Sequence, residues 1–214
     1  MSDLLILGAG GHAKVVAETA LASGATSRVA FLDDRSTGPD ECSPVLGWPV
    51  IGPLAWSLQP DTQAQFAAAV VAIGHAATRL HWIEQLQAAG YSLPVLVHPM
   101  AWISPSAQIG PASVVFAQAA VQALANIGIG AILNTGCSVD HDVQLANGVH
   151  ICPGACLAGE VQVGARSWIG IGASVIQQVC IGADVTVGAG AAVLCDLPDG
   201  VTAVGVPARI LSSS

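Results

Sequence analysis

The sequence predicts a small α/β domain with an open parallel sheet, followed by a prism of short parallel strands, with the division at residues 1–98 and 99–214. Two observations carry that expectation. The first hundred residues alternate strand-length apolar runs with helical patterns around a glycine-rich turn, Gly8-Ala9-Gly10-Gly11-His12. From Ile103 onward an aliphatic residue recurs every six positions without a slip.

In chain order, Leu4 to Leu7 reads as a buried strand, the glycines as a tight turn, and Ala13 to Ala22 as a helix. Val29 to Leu32 reads as a second strand ending at Asp33-Asp34, and Ala68 to Ile73 as a later one ending at Gly74-His75. Ala77 to Ala89 reads as a helix stopped by Gly90. Strand, glycine turn, helix, strand is the start of an open parallel α/β sheet. Without a Cβ, the turn lets backbone approach a phosphate, and the following helix offers unpaired N–H groups.

The second half has sixteen consecutive hexads, from Ile103 to the one begun by Val193. Four residues after each aliphatic comes a second inward candidate, usually small, such as Ala131, Cys137 and Val143. Neither an α-helix nor an alternating strand has a period of six. Short strands separated by corners do, if each hexad forms one wall of a prism with the aliphatic inside. Small outward residues on such walls favour pairing between prisms. A passive solenoid would instead show a regular outward Thr ladder, which is missing from the sequence.

A formal charge of −8 with six basic residues supplies no basic stripe for nucleic acid or an anionic membrane surface. Anions must therefore be held largely by backbone N–H groups. No apolar run reaches bilayer-spanning length, and the first residues lack a basic n-region, so a cytoplasmic protein is expected. None of the six cysteines forms a C-x-x-C pair, and buried or half-buried free thiols are expected.

The repeat resembles the hexapeptide-repeat family, which implies a left-handed parallel β-helix with three hexads, or 18 residues, per coil. The motifs Gly8-Ala9-Gly10-Gly11-His12-Ala13-Lys14-Val15-Val16, Phe31-Leu32-Asp33-Asp34, Val71-Ala72-Ile73-Gly74 and His98-Pro99 are similar to the bacterial family containing sialic acid O-acetyltransferases and nucleotide-sugar N-acetyltransferases. Within it, the chain looks most like the enzymes that acetylate a nucleotide-linked 4-amino-4,6-dideoxyhexose. The resemblance implies acetyl-CoA as co-substrate, no metal, a homotrimer, and a nucleotide-sugar held by the N-terminal domain. Gly8, Gly10 and Gly11 would line the diphosphate, His12 would lie near the sugar or phosphate, and Asp33 with Asp34 would meet the base or ribose. A nicotinamide cofactor on the glycine turn fits less well, because a hundred residues cannot hold a full dinucleotide pair of half-domains.

Only His141 and His150 lie inside the repeat, both at outward positions. A zinc site on the outside of such a prism needs three histidine ligands with a close H-x-x-x-x-H pair, which this chain lacks. Acetyl transfer needs a base for the attacking group and donors for the oxyanion, and an exposed imidazole meets the first need. The resemblance makes His141 the base and Asp142 its acidic partner. Adjacent strand residues point to opposite faces, so Asp142 can orient His141 only at a corner, with Asp140 the alternative. Gly159, one coil above His141, would leave room for the thioester and offer an oxyanion N–H. His150 would contact the acetyl group, Asn134 would lie near the sugar, and Ile171, Gly172 and Arg209 would line the acetyl-CoA path between prisms. The expected reaction is N-acetylation by direct attack on the thioester. The alternatives are O-acetylation of a sialic-acid-type sugar and a non-catalytic nucleotide-binding scaffold.

Overall fold

The computed structural model describes residues 3–38 and 42–211, which form two compact units divided between Pro99 and Met100. In the first, β1 (Leu4–Leu7), β2 (Val29–Leu32), β3 (Val50–Gly52) and β4 (Ala68–Val71) form a parallel sheet of order β3-β2-β1-β4. All four residues of β1 and of β2 are buried, as unbroken apolar strands covered on both faces require. Helix α1 (Gly11–Ala22) buries Ala13, Val16, Ala17 and Ala20, and α3 (Ala76–Ala88) buries Ile83 and Leu86. Between β3 and β4 lie a 3₁₀ turn, Leu54–Leu58, and a short helix α2 (Pro60–Gln65).

Both long helices begin earlier than the sequence pattern suggests. Gly10 is the extended residue before α1, so His12 belongs to the first helical turn rather than to a loop. His75 caps α3, its ring accepting from the Thr78 N–H at 3.3 Å.

The strand order places a topological switch between β1 and β4. The chain winds outward from β1 through β2 and β3, then returns to the other side of β1. In open parallel sheets the crevice outside the carboxyl ends of such a pair receives ligands. Here its two sides are the glycine turn after β1 and the segment Ala72 to His75 after β4. Gly8 must be glycine in this setting: its φ is +102°, and a Cβ would stand 2.9 Å from the Ala72 carbonyl oxygen.

In the second unit sixteen two-residue strands follow each other at intervals of six, from Trp102–Ile103 to Ala192–Val193. Each strand up to Ser174–Val175 pairs in parallel with the strand 18 residues on, as in Ser138↔Cys156 and Val139↔Leu157. Three walls result: the first carries strands beginning at 114, 132, 150, 168 and 186, the second those at 102, 120, 138, 156, 174 and 192, and the third those at 108, 126, 144, 162 and 180. The aliphatic of every hexad from Val115 to Val193 is buried, as is its second inward residue from Ser113 to Leu197. Ile103, Ile109 and Ala107, in the first coil, are only half-buried. The two inward serines bridge successive coils: Ser113 Oγ donates to Gly128 O at 3.0 Å and accepts from Ala131 N–H at 3.0 Å, and Ser167 repeats the pattern with Gly182 and Val185.

The corners show a second period of six. Residues 112, 118, 124 and so on to 190 all have positive φ, between 55° and 72°, and many are not glycine. A left-handed residue bends the chain sharply enough to start the next wall. Its N–H is satisfied from the coil before, as in Asp142 N–H to Ala123 O at 3.0 Å and Glu160 N–H to His141 O at 2.9 Å. At the C-terminus Thr202–Val204 extends the first wall in parallel, and Arg209–Ile210 folds back antiparallel against it. No helix among the described residues is long and apolar enough to cross a membrane.

Candidate active site

His141 and Asp142 are the corner residues between the second and third walls. Asp142 is the left-handed member, with φ +59°. That conformation removes the alternation that separates neighbours on a strand, so both side chains point outward together. The His141 Nδ1 lies 2.8 Å from Asp142 Oδ2, while Asp140 Oδ1 accepts the His141 backbone N–H at 2.7 Å. Asp142 is thus the carboxylate on the ring, and Asp140 fixes the backbone beneath it. With Nδ1–H donated to Asp142, Nε2 is left as the basic nitrogen. The hydrogen bond to Asp142 raises the His141 pKa above its ordinary 6.5, and the nearby charges of Asp140, Asp142 and Glu160 add to the effect.

Gly159 lies against the same ring. A Cβ there would fall 2.5 Å from both Cε1 and Nε2 of His141. The absent side chain therefore makes way for the imidazole itself rather than for the thioester. Among the described residues the Gly159 N–H has no backbone acceptor.

Asn134 and His150 come together elsewhere. They stand on the first wall, with Asn134 Nδ2 3.2 Å from His150 Nε2 and the His150 ring edge-on to Trp168 at 6.2 Å between centroids. Ile171 and Gly172 form the corner where that wall meets the second, with Ile171 56% exposed. Arg209 is exposed on the hairpin that extends the first wall. Within one prism, then, His141, Asp142 and Gly159 occupy one corner, while Asn134, His150, Ile171, Gly172 and Arg209 belong to the first wall and its margins.

The cysteines divide between inside and outside. Cys137 and Cys152 are buried, and burial pushes each thiol up to about 12, far from a reactive thiolate. Cys42 is intermediate, whereas Cys156, Cys180 and Cys195 are exposed, contrary to the expectation that all would be at least half-buried. The outward faces of the short strands hold them. No group of three or more His, Cys, Asp or Glu among the described residues is arranged to hold a metal ion.

In the first unit, Gly10 and Gly11 stand in open space at the start of α1, where added Cβ atoms would meet nothing within 4 Å. Asp33 closes the turn from behind. Its Oδ2 accepts from Ala9 N–H at 2.8 Å and from Arg35 Nη2 at 3.0 Å, and its Oδ1 accepts from Arg35 N–H at 3.0 Å and Nε at 2.7 Å. Those four bonds fill its acceptor sites and lower its pKa to about 2, with the Arg35 side chain the main cause. Asp34 is likewise engaged, Oδ1 accepting from Leu54 N–H at 2.9 Å. Beside Asp33 opens a cavity of about 350 Å³, bordered by Ala9, Lys14, Arg35, Val45 and Val50. Of its two cations, Lys14 stands in the glycine-turn motif, where it reads from the sequence as a solvated helix charge, and Arg35 is not singled out by the sequence. The scarcity of basic residues was the available signal.

Comparison with known proteins accords with this architecture. Residues 3–86 match the model of the PglD N-terminal domain family. The acetyltransferase domain of PglB from Neisseria gonorrhoeae is 46% identical, with 99% of this chain and 100% of that one covered and a TM-score of 0.92. The chain belongs to the PglD-type acetyltransferase family. PerB from Caulobacter crescentus, solved in complex with CoA and GDP-perosamine, is 42% identical over 99% of this chain and 98% of that one, with a TM-score of 0.91. The perosamine N-acetyltransferase of the same organism, as an H141N mutant with CoA and GDP-perosamine, is 41% identical over 100% and 98%, with a TM-score of 0.92. Comparison with curated protein sequences gives no match. Like other PglD-type acetyltransferases, the chain is an acetyl-CoA-dependent acetyltransferase carried on a left-handed β-helix.

Proposed function

We propose that the chain transfers the acetyl group of acetyl-CoA to the amino group of a nucleotide-linked 4-amino-4,6-dideoxy sugar, with His141 as general base. The observation that carries this reading is the corner geometry: Asp142 holds Nδ1 at 2.8 Å and Gly159 leaves space for the Cε1–Nε2 edge. The sugar amine attacks the thioester carbonyl and passes a proton to Nε2. Asp142 stabilises the imidazolium, and the Gly159 N–H, without a backbone acceptor among the described residues, donates to the oxyanion. Collapse breaks the C–S bond, and the departing thiolate recovers the proton as CoA. Attack is direct, because Cys137, the thiol nearest in sequence, is buried and protonated.

The division of labour follows the two units. Residues 1–98 hold the nucleotide-sugar, with Gly8, Gly10 and Gly11 at the diphosphate and His12 near the sugar. Because Asp33 is engaged with Ala9 and Arg35, it supports the loop, and the cations beside it face the ligand. Residues 99–214 bind acetyl-CoA. Since Asn134, His150, Ile171, Gly172 and Arg209 lie on a different side of the prism from His141, a neighbouring copy completes the site in a homotrimer, one prism giving the His141 corner and the next its first wall. Both substrates are cytoplasmic metabolites, and the reading places the enzyme there. CoA release with GDP-, UDP- and dTDP-linked 4-amino-4,6-dideoxyhexoses tests the base. Turnover should fall about 100-fold or more in His141→Ala; native-level turnover in that variant would remove the assignment.

A further inference from the structure

The crevice between the carboxyl ends of β1 and β4 has a buried charge beneath one side. Arg79, in the first turns of α3, is 1% exposed, one of only six basic residues in the chain. Its Nη1 donates to Ile73 O at 2.9 Å and to Gly74 O at 2.7 Å. These carbonyls follow the end of β4, next to Ala72, whose own carbonyl is what a Cβ on Gly8 would meet first. Left to themselves, such oxygens would present partial negative charge to any ligand entering the crevice. Arg79 takes up both and keeps its own positive charge buried beside them.

We propose that Arg79 is a positioning residue of the nucleotide-sugar site: a buried counter-charge that makes the β1/β4 crevice attractive to a diphosphate without touching it. The inference rests on the reading that the N-terminal unit binds a nucleotide-linked sugar. It explains how a chain of net charge −8 attracts an anion to a turn made of glycines. The guanidinium stays protonated, since burial lowers its pKa only to about 10. Its field also reaches His12, in the first turn of α1. Burial first, and the charge of Arg79 second, hold the His12 pKa down to about 4, so the imidazole is neutral at the working pH. A neutral ring can both donate to and accept from a sugar or phosphate oxygen.

The test pairs two substitutions in the full chain. Arg79→Gln keeps an N–H donor for the carbonyls and deletes the charge, while Arg79→Lys keeps the charge on a different stem. Calorimetric titration with GDP and UDP should show affinity roughly tenfold weaker in the Gln variant, the effect of one unit charge acting over about 10 Å at an effective dielectric near 20. The Lys variant should stay within about threefold of the native chain, and acetyl-CoA affinity should be unchanged in both. In NMR titration the His12 pKa should rise in the Gln variant and remain depressed in the Lys variant. Nucleotide affinity within twofold of native in Arg79→Gln, or equal losses in both variants, would overturn the inference. Should Arg79→Gln fail to fold, the Lys variant decides: a loss beyond tenfold with native thermal stability contradicts the charge role. A native chain that binds neither GDP nor UDP would instead sink the nucleotide-sugar reading on which the inference stands.

Discussion

Replacing Gly159 with alanine isolates the placement of one imidazole. The backbone there is not left-handed, so an L side chain brings no conformational penalty. The new Cβ would lie 2.5 Å from both Cε1 and Nε2 of His141. Ordinary carbon contacts begin near 3.5 Å, so the ring must retreat by about 1 Å. Its side chain is 55% exposed and free to swing toward solvent, which makes the cost to folding small. Moving outward, however, strains the 2.8 Å contact with Asp142 and carries Nε2 away from the acceptor amine. A displacement of about 1 Å at a reacting group costs on the order of 100-fold in rate, equivalent to about 2.7 kcal/mol of barrier. Gly159→Ala should therefore lose about two orders of magnitude in kcat, measured as CoA release, with thermal stability near native. A kcat within twofold of native would refute the placement of His141 against Gly159.

Three other outcomes follow from the same structure. Asp142→Asn keeps a residue that tolerates φ near +60° but deletes the charge. Because Asp142 raises the His141 pKa, and the neutral base predominates above that pKa, the rising limb of the pH–rate profile should move to lower pH while the plateau falls about 10- to 100-fold; an unmoved limb would contradict the pairing. His12 should make the N-terminal unit acid-sensitive: with a pKa near 6.5 unfolded and about 4 folded, its contribution is complete above pH 6.5 and is lost as pH falls toward 4, by about 3 kcal/mol. Urea unfolding at several pH values should show this slope flattened in His12→Gln. Gly8→Ala should destabilise the chain by about 1–3 kcal/mol in the same assay, from its positive φ and the 2.9 Å approach to Ala72 O.

The strands of the prism and β1, β2 and β4 of the first unit were legible because each leaves an apolar signature. Leu4–Leu7 and Val29–Leu32 match their runs, and the hexads hold register through every coil because an insertion would expose an aliphatic. The stretch between β2 and β4 was not legible: Val50–Gly52, Leu54–Leu58 and Pro60–Gln65 are too short to show a period. Corner geometry was hidden for another reason. Ala112, Gln118 and Leu124 are not residues that announce a positive φ, and an aspartate such as Asp142 only tolerates one; neighbouring coils impose it. That concealment left the partnership of His141 with Asp142 open in the sequence and makes it plain in the structure. The engagement of Asp33 with Arg35 and the burial of Arg79 were hidden too, since a charged residue's type says nothing of its partner.

The decisive question for the enzyme is whether a nucleotide-linked amino sugar accepts the acetyl group. Purified chain incubated with acetyl-CoA and a panel of GDP-, UDP- and dTDP-linked 4-amino-4,6-dideoxyhexoses, beside CMP-sialic acid and free sialic acid, puts it to the test. Release of CoA with one amino sugar, with an amide product stable to hydroxylamine, is the predicted result. A hydroxylamine-labile ester on a sialic acid, or no CoA release with any member of the panel, would contradict it.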